Sequence, residues 1–177
     1  DDTVSKIVAA TGAVAATITV GDGPYAVAFD GTHIWVTNGS DDTVSKIVAA
    51  TGVIAATIGV GNGPYGVAFD GTHIWVTNYF EDSVSKIVAA TGAVAATIGV
   101  GDAPYGVAFD GTHIWVANYL GDTVSKIVAA TGVVAATIGV GDGPEGVAFD
   151  GTHIWTANFS DDTVSKIVAA TGAVAAT

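Results

Sequence analysis

Four histidines are the first residues that could carry chemistry. His33, His73, His113 and His153 stand 40 residues apart, each just after an Asp-Gly pair. A set of imidazoles suggests a metal, whose ligand nitrogens must converge to about 2 Å from one ion. Equivalent positions on stacked sheets lie on the order of 10 Å apart, so these residues read as turn or packing histidines. The acid pairs Asp41-Asp42, Glu81-Asp82 and Asp161-Asp162 offer the hard oxygens that Ca²⁺ takes. No single loop holds the ligand number of a dedicated site, so their expected use is to cap loop backbone. Catalysis needs a constellation that breaks the repeat. Cys and Arg are absent, Glu81 and Glu145 are the only glutamates, and neither G-x-S-x-G nor H-E-x-x-H occurs. No catalytic residue, metal or cofactor is expected.

Binding leaves a clearer trace. Residues 1–40 and 41–80 differ only at positions 13, 14, 19, 22, 26, 39 and 40 of the first copy. Across all copies the non-conservative changes gather in two connections. One holds Gly39-Ser40-Asp41, Tyr79-Phe80-Glu81, Tyr119-Leu120-Gly121 and Phe159-Ser160-Asp161; in the other, Tyr25, Tyr65 and Tyr105 give way to Glu145. The expected ligand-binding residues are therefore Tyr25, Tyr65, Tyr79, Phe80, Glu81, Tyr105, Tyr119, Glu145 and Phe159, exposed aromatics beside carboxylates. The competing reading is drift in loops, which tolerate change.

Composition narrows the partners. Five Lys, no Arg and 17 acids give a net charge of −12, whereas a nucleic-acid reader needs a basic face. No apolar run reaches the roughly 18 residues of a membrane span, so no membrane insertion is expected. Without Cys there are no disulfides or thiolate sites. A chain that opens at Asp1 in mid-repeat and holds no Met reads as a processed chain, an excised fragment or an engineered module.

The elements that position these residues follow from the period. A fixed 40-residue repeat means stacked supersecondary units. Tyr25 to Asp30 alternates small and large residues, a first strand, and Asp30-Gly31 supplies the turn. His33 to Thr37 is a second strand, Thr43 to Ala49 a third, and Val53 to Val60 a fourth after the Thr51-Gly52 turn. No helix is expected. Four short antiparallel strands per repeat define an all-β chain, a β-propeller built from 40-residue blades with strands A to D running outward from the axis. Trp35, Phe29 and Ile47 are expected between neighbouring blades, and Trp75, Trp115 and Trp155 are expected to be wedged there like Trp35. The unit boundaries are a half-blade at 1–20 and blades at about 21–60, 61–100, 101–140 and 141–177.

The run P-Y-G-V-A-F-D-G-T-H-I-W-V-T-N, followed by D-T-V-S-K-I, A-T-G and A-T-I-G-V-G, resembles the YVTN-type propeller repeat. That repeat is related to the NHL and virginiamycin B lyase-like propellers of bacterial and archaeal extracellular proteins. The resemblance covers the whole chain. It implies a propeller, an extracellular or cell-surface location and a scaffold role. Val48 departs from it, since such repeats usually carry Asp after the Ile. The lyase activity relies on His and Glu placed on particular blades, whereas every His here is a repeated turn residue.

Hairpin counting bears on assembly. C–D hairpins begin at Thr3, Thr43, Ser83, Thr123 and Thr163, but A–B hairpins only at Tyr25, Tyr65, Tyr105 and Glu145. The expected partner is therefore the chain itself: a homodimer closing one ring, half from each copy, ahead of an open polymer. The functional expectation is a non-enzymatic scaffold binding a protein or glycan through its looped face. The alternative is a structural, self-assembling module with no ligand beyond its own copies.

Overall fold

A computed structural model describes residues 1–177. The chain opens with a two-stranded hairpin, β1 (Thr3–Ile7) and β2 (Val14–Thr19). Blade 1 follows as β3 (Pro24–Phe29), β4 (His33–Asn38), β5 (Thr43–Val48) and β6 (Ile54–Gly59). Blade 2 holds β7 (Pro64–Phe69), β8 (His73–Asn78), β9 (Ser83–Val88) and β10 (Val94–Gly99). Blade 3 holds β11 (Pro104–Phe109), β12 (His113–Asn118), β13 (Thr123–Val128) and β14 (Val134–Gly139). Blade 4 holds β15 (Pro144–Phe149), β16 (His153–Asn158), β17 (Thr163–Val168) and the short β18 (Val174–Ala176). Each blade is an antiparallel meander in chain order.

Strand limits fall within a residue or so of those read from the sequence. Each strand A begins one residue earlier, at proline, which a first strand position admits because no ladder donor is needed there. One three-residue 3-10 turn, Tyr79–Glu81, is the sole helical feature where none was expected.

Two local devices shape every blade. The first is a bulge in strand A: Pro24 pairs with Asn38 and Val27 with Val36, so Tyr25 and Ala26 together oppose Thr37. An inserted residue bends the strand and re-aims its side chains. The second is the A–B turn, where Gly31 takes a φ of 98° that side-chain-bearing residues rarely adopt. Asp30 organises this turn. Its Oδ1 accepts from the Thr32 and His33 amides at 2.8 and 2.6 Å and from the Thr32 hydroxyl at 2.9 Å, while Oδ2 accepts from Trp35 Nε1 at 2.8 Å. Asp70, Asp110 and Asp150 hold Trp75, Trp115 and Trp155 in the same way.

The apolar core lies between blades. Trp35 and Val44 of blade 1 pack on Ile74, Val76, Ile87 and Ala89 of blade 2. Trp75 and Val84 repeat this against blade 3, and Trp115 and Val124 against blade 4. A lysine spans each interface: Lys46 Nζ lies 5.0 Å from the Trp35 ring and donates to Ala89 O at 2.7 Å. Lys86 and Lys126 do the same to Ala129 O and Ala169 O.

Two packing expectations fail at the ends. Phe29 is 55% exposed, because only the β1–β2 hairpin stands before blade 1. Trp155 is 37% exposed, because no sheet formed by residues 1–177 packs on that side of blade 4. Trp35, Trp75, Trp115 and Ile47 are buried as expected.

Candidate functional site

The B–C and D–A connections form one face. Tyr79 N donates to Gly63 O at 2.9 Å and Phe80 N to Asn62 O at 3.2 Å, and equivalent bonds join the two loops in every blade. Aspartates complete the lacing. Asp41 Oδ2 accepts from Asp22 N at 2.8 Å within blade 1, and Asp42 Oδ1 from Gly63 N at 2.8 Å across to blade 2. Asp82 and Asp122 repeat the cross-blade bond to Ala103 N and Gly143 N. Of the acid pairs, Asp41, Asp42, Asp82 and Asp161 thus cap loop amides, while the carboxylates of Glu81 and Asp162 accept no such bond. The histidines sit on the opposite face, each Nδ1 3.4 Å from the carboxylate of its own turn Asp, and those of His33 and His73 also bond to the Thr32 and Thr72 hydroxyls at 2.8 and 2.9 Å. No group of three or more His, Asp or Glu is placed to share a metal ion.

Most of the sequence-predicted binding residues come together. The bulge of each strand A directs Tyr25, Tyr65 and Tyr105 to the centre of the looped face. Tyr25 and Tyr65 meet edge to face at 4.3 Å between ring centres, and Tyr65 and Tyr105 stack at 5.2 Å. The Tyr25 and Tyr105 hydroxyls hydrogen-bond. Tyr79 joins from its loop at 5.0 Å from Tyr65, and Tyr119 lies 6.3 Å from Tyr105. Glu145 borders this cluster: burial first, then its neighbours Tyr119, Tyr65 and Glu145, push the Tyr79 phenol up. Tyr105 is raised for similar reasons, burial first and then its bond to Tyr25.

Phe80 joins the cluster at its edge, its ring 4.9 Å from that of Tyr79, while Glu81 and Phe159 lie on the surrounding loops without a ring contact to it. Phe80 and Phe159 are 65% and 66% exposed, and Leu120, at the position equivalent to Phe80, is 65% exposed. Leu120 was missed as a site residue, although its place in the repeat beside Tyr119 was a signal that could have found it.

Charge is sorted by face. All the lysines that reach across to a neighbour, Lys6, Lys46, Lys86 and Lys126, bond to carbonyls of C–D turns, on the histidine side. The looped face carries Asp22, Asp41, Glu81, Asp102, Asp142 and Asp161 and no lysine. Its carboxylates repel one another. Asp142 is pushed up by the charges of Asp161 and Asp122, and Asp22 by its hydrogen bond to Asp2 and the charges of Asp2 and Asp41.

A chain of blades with antiparallel four-stranded sheets radiating from an axis defines a β-propeller architecture, and solved structures bear this out. The chain is similar to a streptogramin B lyase, with a TM-score of 0.84 at 18% identity over 98% of this chain and 60% of that one. It is similar to the virginiamycin B lyase of Staphylococcus aureus, with a TM-score of 0.83 at 15% identity over 98% and 61%. It is also similar to the hydrazine synthase of Kuenenia stuttgartiensis, with a TM-score of 0.81 at 24% identity over 97% and 52%. At these identities the likeness is one of fold, the β-propeller. The chain spans 52% to 61% of the length of these structures. No family model and no curated protein matches it.

Proposed function

We propose that the chain is a non-catalytic propeller scaffold whose looped face binds a protein segment rich in lysine or arginine and in apolar side chains. The carrying observation is the composition of that face: a tyrosine cluster bordered by Glu145, with Phe80, Leu120 and Phe159 exposed around it and carboxylates unaccompanied by lysine. Exposed apolar groups set together favour a protein partner. Unbalanced negative charge favours a cationic one and speeds its approach at low salt. A glycan draws on stacking rings, and here the tyrosine faces are largely spent on one another.

Titration calorimetry with a cationic aromatic peptide of alternating Lys and Phe, set beside a neutral oligosaccharide array, tests this. The expected outcome is peptide binding that weakens with salt and is lost in Phe80→Ser/Leu120→Ser. The fold tolerates serine there, since Ser40 and Ser160 occupy the equivalent positions. Binding of oligosaccharides alone, or of peptide equally well to the serine variant, overturns the reading.

A further inference from the structure

Each end of the arc is half of an interface that the interior shows whole. Between blades 1 and 2 the Trp35 indole is buried against Ile74 and Ile87, with Lys46 over its ring. Before blade 1 the same wall stands without a tryptophan. Val27, Ile34 and Ile47 face Val4, Lys6 and Ile18 of the hairpin across a cavity of about 300 Å³. After blade 4 the tryptophan stands without a wall. Trp155 is 37% exposed and Val164 beside it 50%, and Lys166 lies 4.8 Å from the Trp155 ring with no carbonyl to bond.

A second, independent observation comes from the sequence: residues 161–177 repeat residues 1–17 without a change. The two copies are unequally paired. β17 and β18 register only through Lys166↔Ala176 and Ile167↔Val174, whereas β1 and β2 pair at five positions from Thr3↔Thr19 to Ile7↔Val14. The β1–β2 hairpin of a second copy therefore fits beside β16 in place of β17–β18, with every side chain of that stretch the same. It adds Ile18 and Val20, whose equivalents Ile58 and Val60 pack in the blade 1–2 core.

We propose that the 177-residue polypeptide forms a two-fold dimer by this exchange. β1–β2 of each copy completes the blade begun by β15–β16 of the other, and Trp155 seats in the cavity beneath Lys6 of the second copy. The new interface continues the three already present within the chain, with the same residue types at each place. Each chain then supplies three whole blades and two half-blades, so the pair closes into a ring with no apolar end left open. The β17–β18 hairpins are released at the rim.

Cross-linking in the 177-residue polypeptide tests the exchange, and the absence of Cys from it makes the test clean. Ala157 is register partner to Val164, whose equivalent in the first copy of the repeat is Val4. Val4→Cys/Ala157→Cys should therefore oxidise to an interchain disulfide, since opposed antiparallel residues fit disulfide geometry. Ser5→Cys/Thr156→Cys covers the adjacent pair. The expected result is a covalent dimer on a denaturing gel from at least one pair, with light scattering of the unmodified chain at about twice 17.5 kDa. Trp155→Ala should raise the dissociation constant by roughly a hundredfold or more while the circular dichroism stays that of a β protein. Cross-linked monomer, a ladder of higher multimers, no cross-link from either pair, or a Trp155→Ala chain that dimerises undiminished each overturns the proposal.

Discussion

At the scale of single residues, the aspartate of each A–B turn does most of the organising. Burial alone would raise the Asp70 carboxyl, but the Trp75 indole and the His73 and Thr72 donors outweigh it and hold it below the usual carboxylate range. Asp30 and Asp110 are lowered against the same opposition, and Asp150 by the Trp155 indole first. Asp70→Ala removes the acceptor of a buried indole and of two turn amides, so a loss of about 2–4 kcal/mol is expected in urea unfolding. A cost under about 0.5 kcal/mol would show that the turn holds without its carboxylate. These depressed folded-state values also set a pH window. Stability from such a group is complete above the unfolded value of about 3.9 and drains away as pH falls toward the folded one. Acid unfolding should therefore begin below about pH 4, and a midpoint unchanged between neutral pH and pH 3 would contradict it. Thr156 is the opposite case, a residue at odds with its surroundings. It stands where Val36, Val76 and Val116 pack, and its hydroxyl is buried without a partner. Thr156→Val should stabilise the fold by about 1 kcal/mol, read as a higher denaturant midpoint.

At the scale of strands and blades, the lysines act as struts between sheets. Lys86 spans from blade 2 to Ala129 O of blade 3 while lying over Trp75. Its equivalent Lys166 lies over Trp155 and reaches nothing beyond. Lys86→Met keeps the apolar stem but leaves the carbonyl without its charged donor, an expected loss of roughly 1–3 kcal/mol. Lys166→Met should change stability by less than about 0.5 kcal/mol. Equal effects from the two substitutions would mean that the bond across the interface contributes nothing. Strand order, turn positions and the burial of three of the four tryptophans were legible in the sequence, because alternation and Asp-Gly pairs are local signals. The strand A bulge was not. It arises from the register between Pro24, Val27 and their partners on β4, and register is decided by the neighbouring strand. Since that bulge aims Tyr25, Tyr65 and Tyr105, the aromatic candidates could be named from the sequence while their convergence into one cluster could not.

At the scale of the whole molecule, charge is the lever that remains. A net charge of −12, with carboxylates crowded on one face, opposes the compact state by self-repulsion. Salt screens this, so raising ionic strength from about 10 mM to about 0.5 M should raise Tm by roughly 2–4 °C, the shift that about 1 kcal/mol makes in a chain of this size. A falling Tm would mean that attractive pairs outweigh the repulsion. The sequence by itself determined the repeat, the four strands of each blade, the tryptophan between sheets and the acidity of the connecting loops. All of these follow from patterns within 40 residues, where periodicity and turn chemistry speak for themselves. Only the tertiary structure decided that the lysines all serve one side, leaving the looped face without a cation, and that Tyr25, Tyr65 and Tyr105 share one centre. It alone decided that Trp155 stays half open while Trp35, Trp75 and Trp115 are closed. The reason is that the four tryptophans stand in nearly the same local sequence, and what buries each of them is the following blade, 40 residues further along the chain.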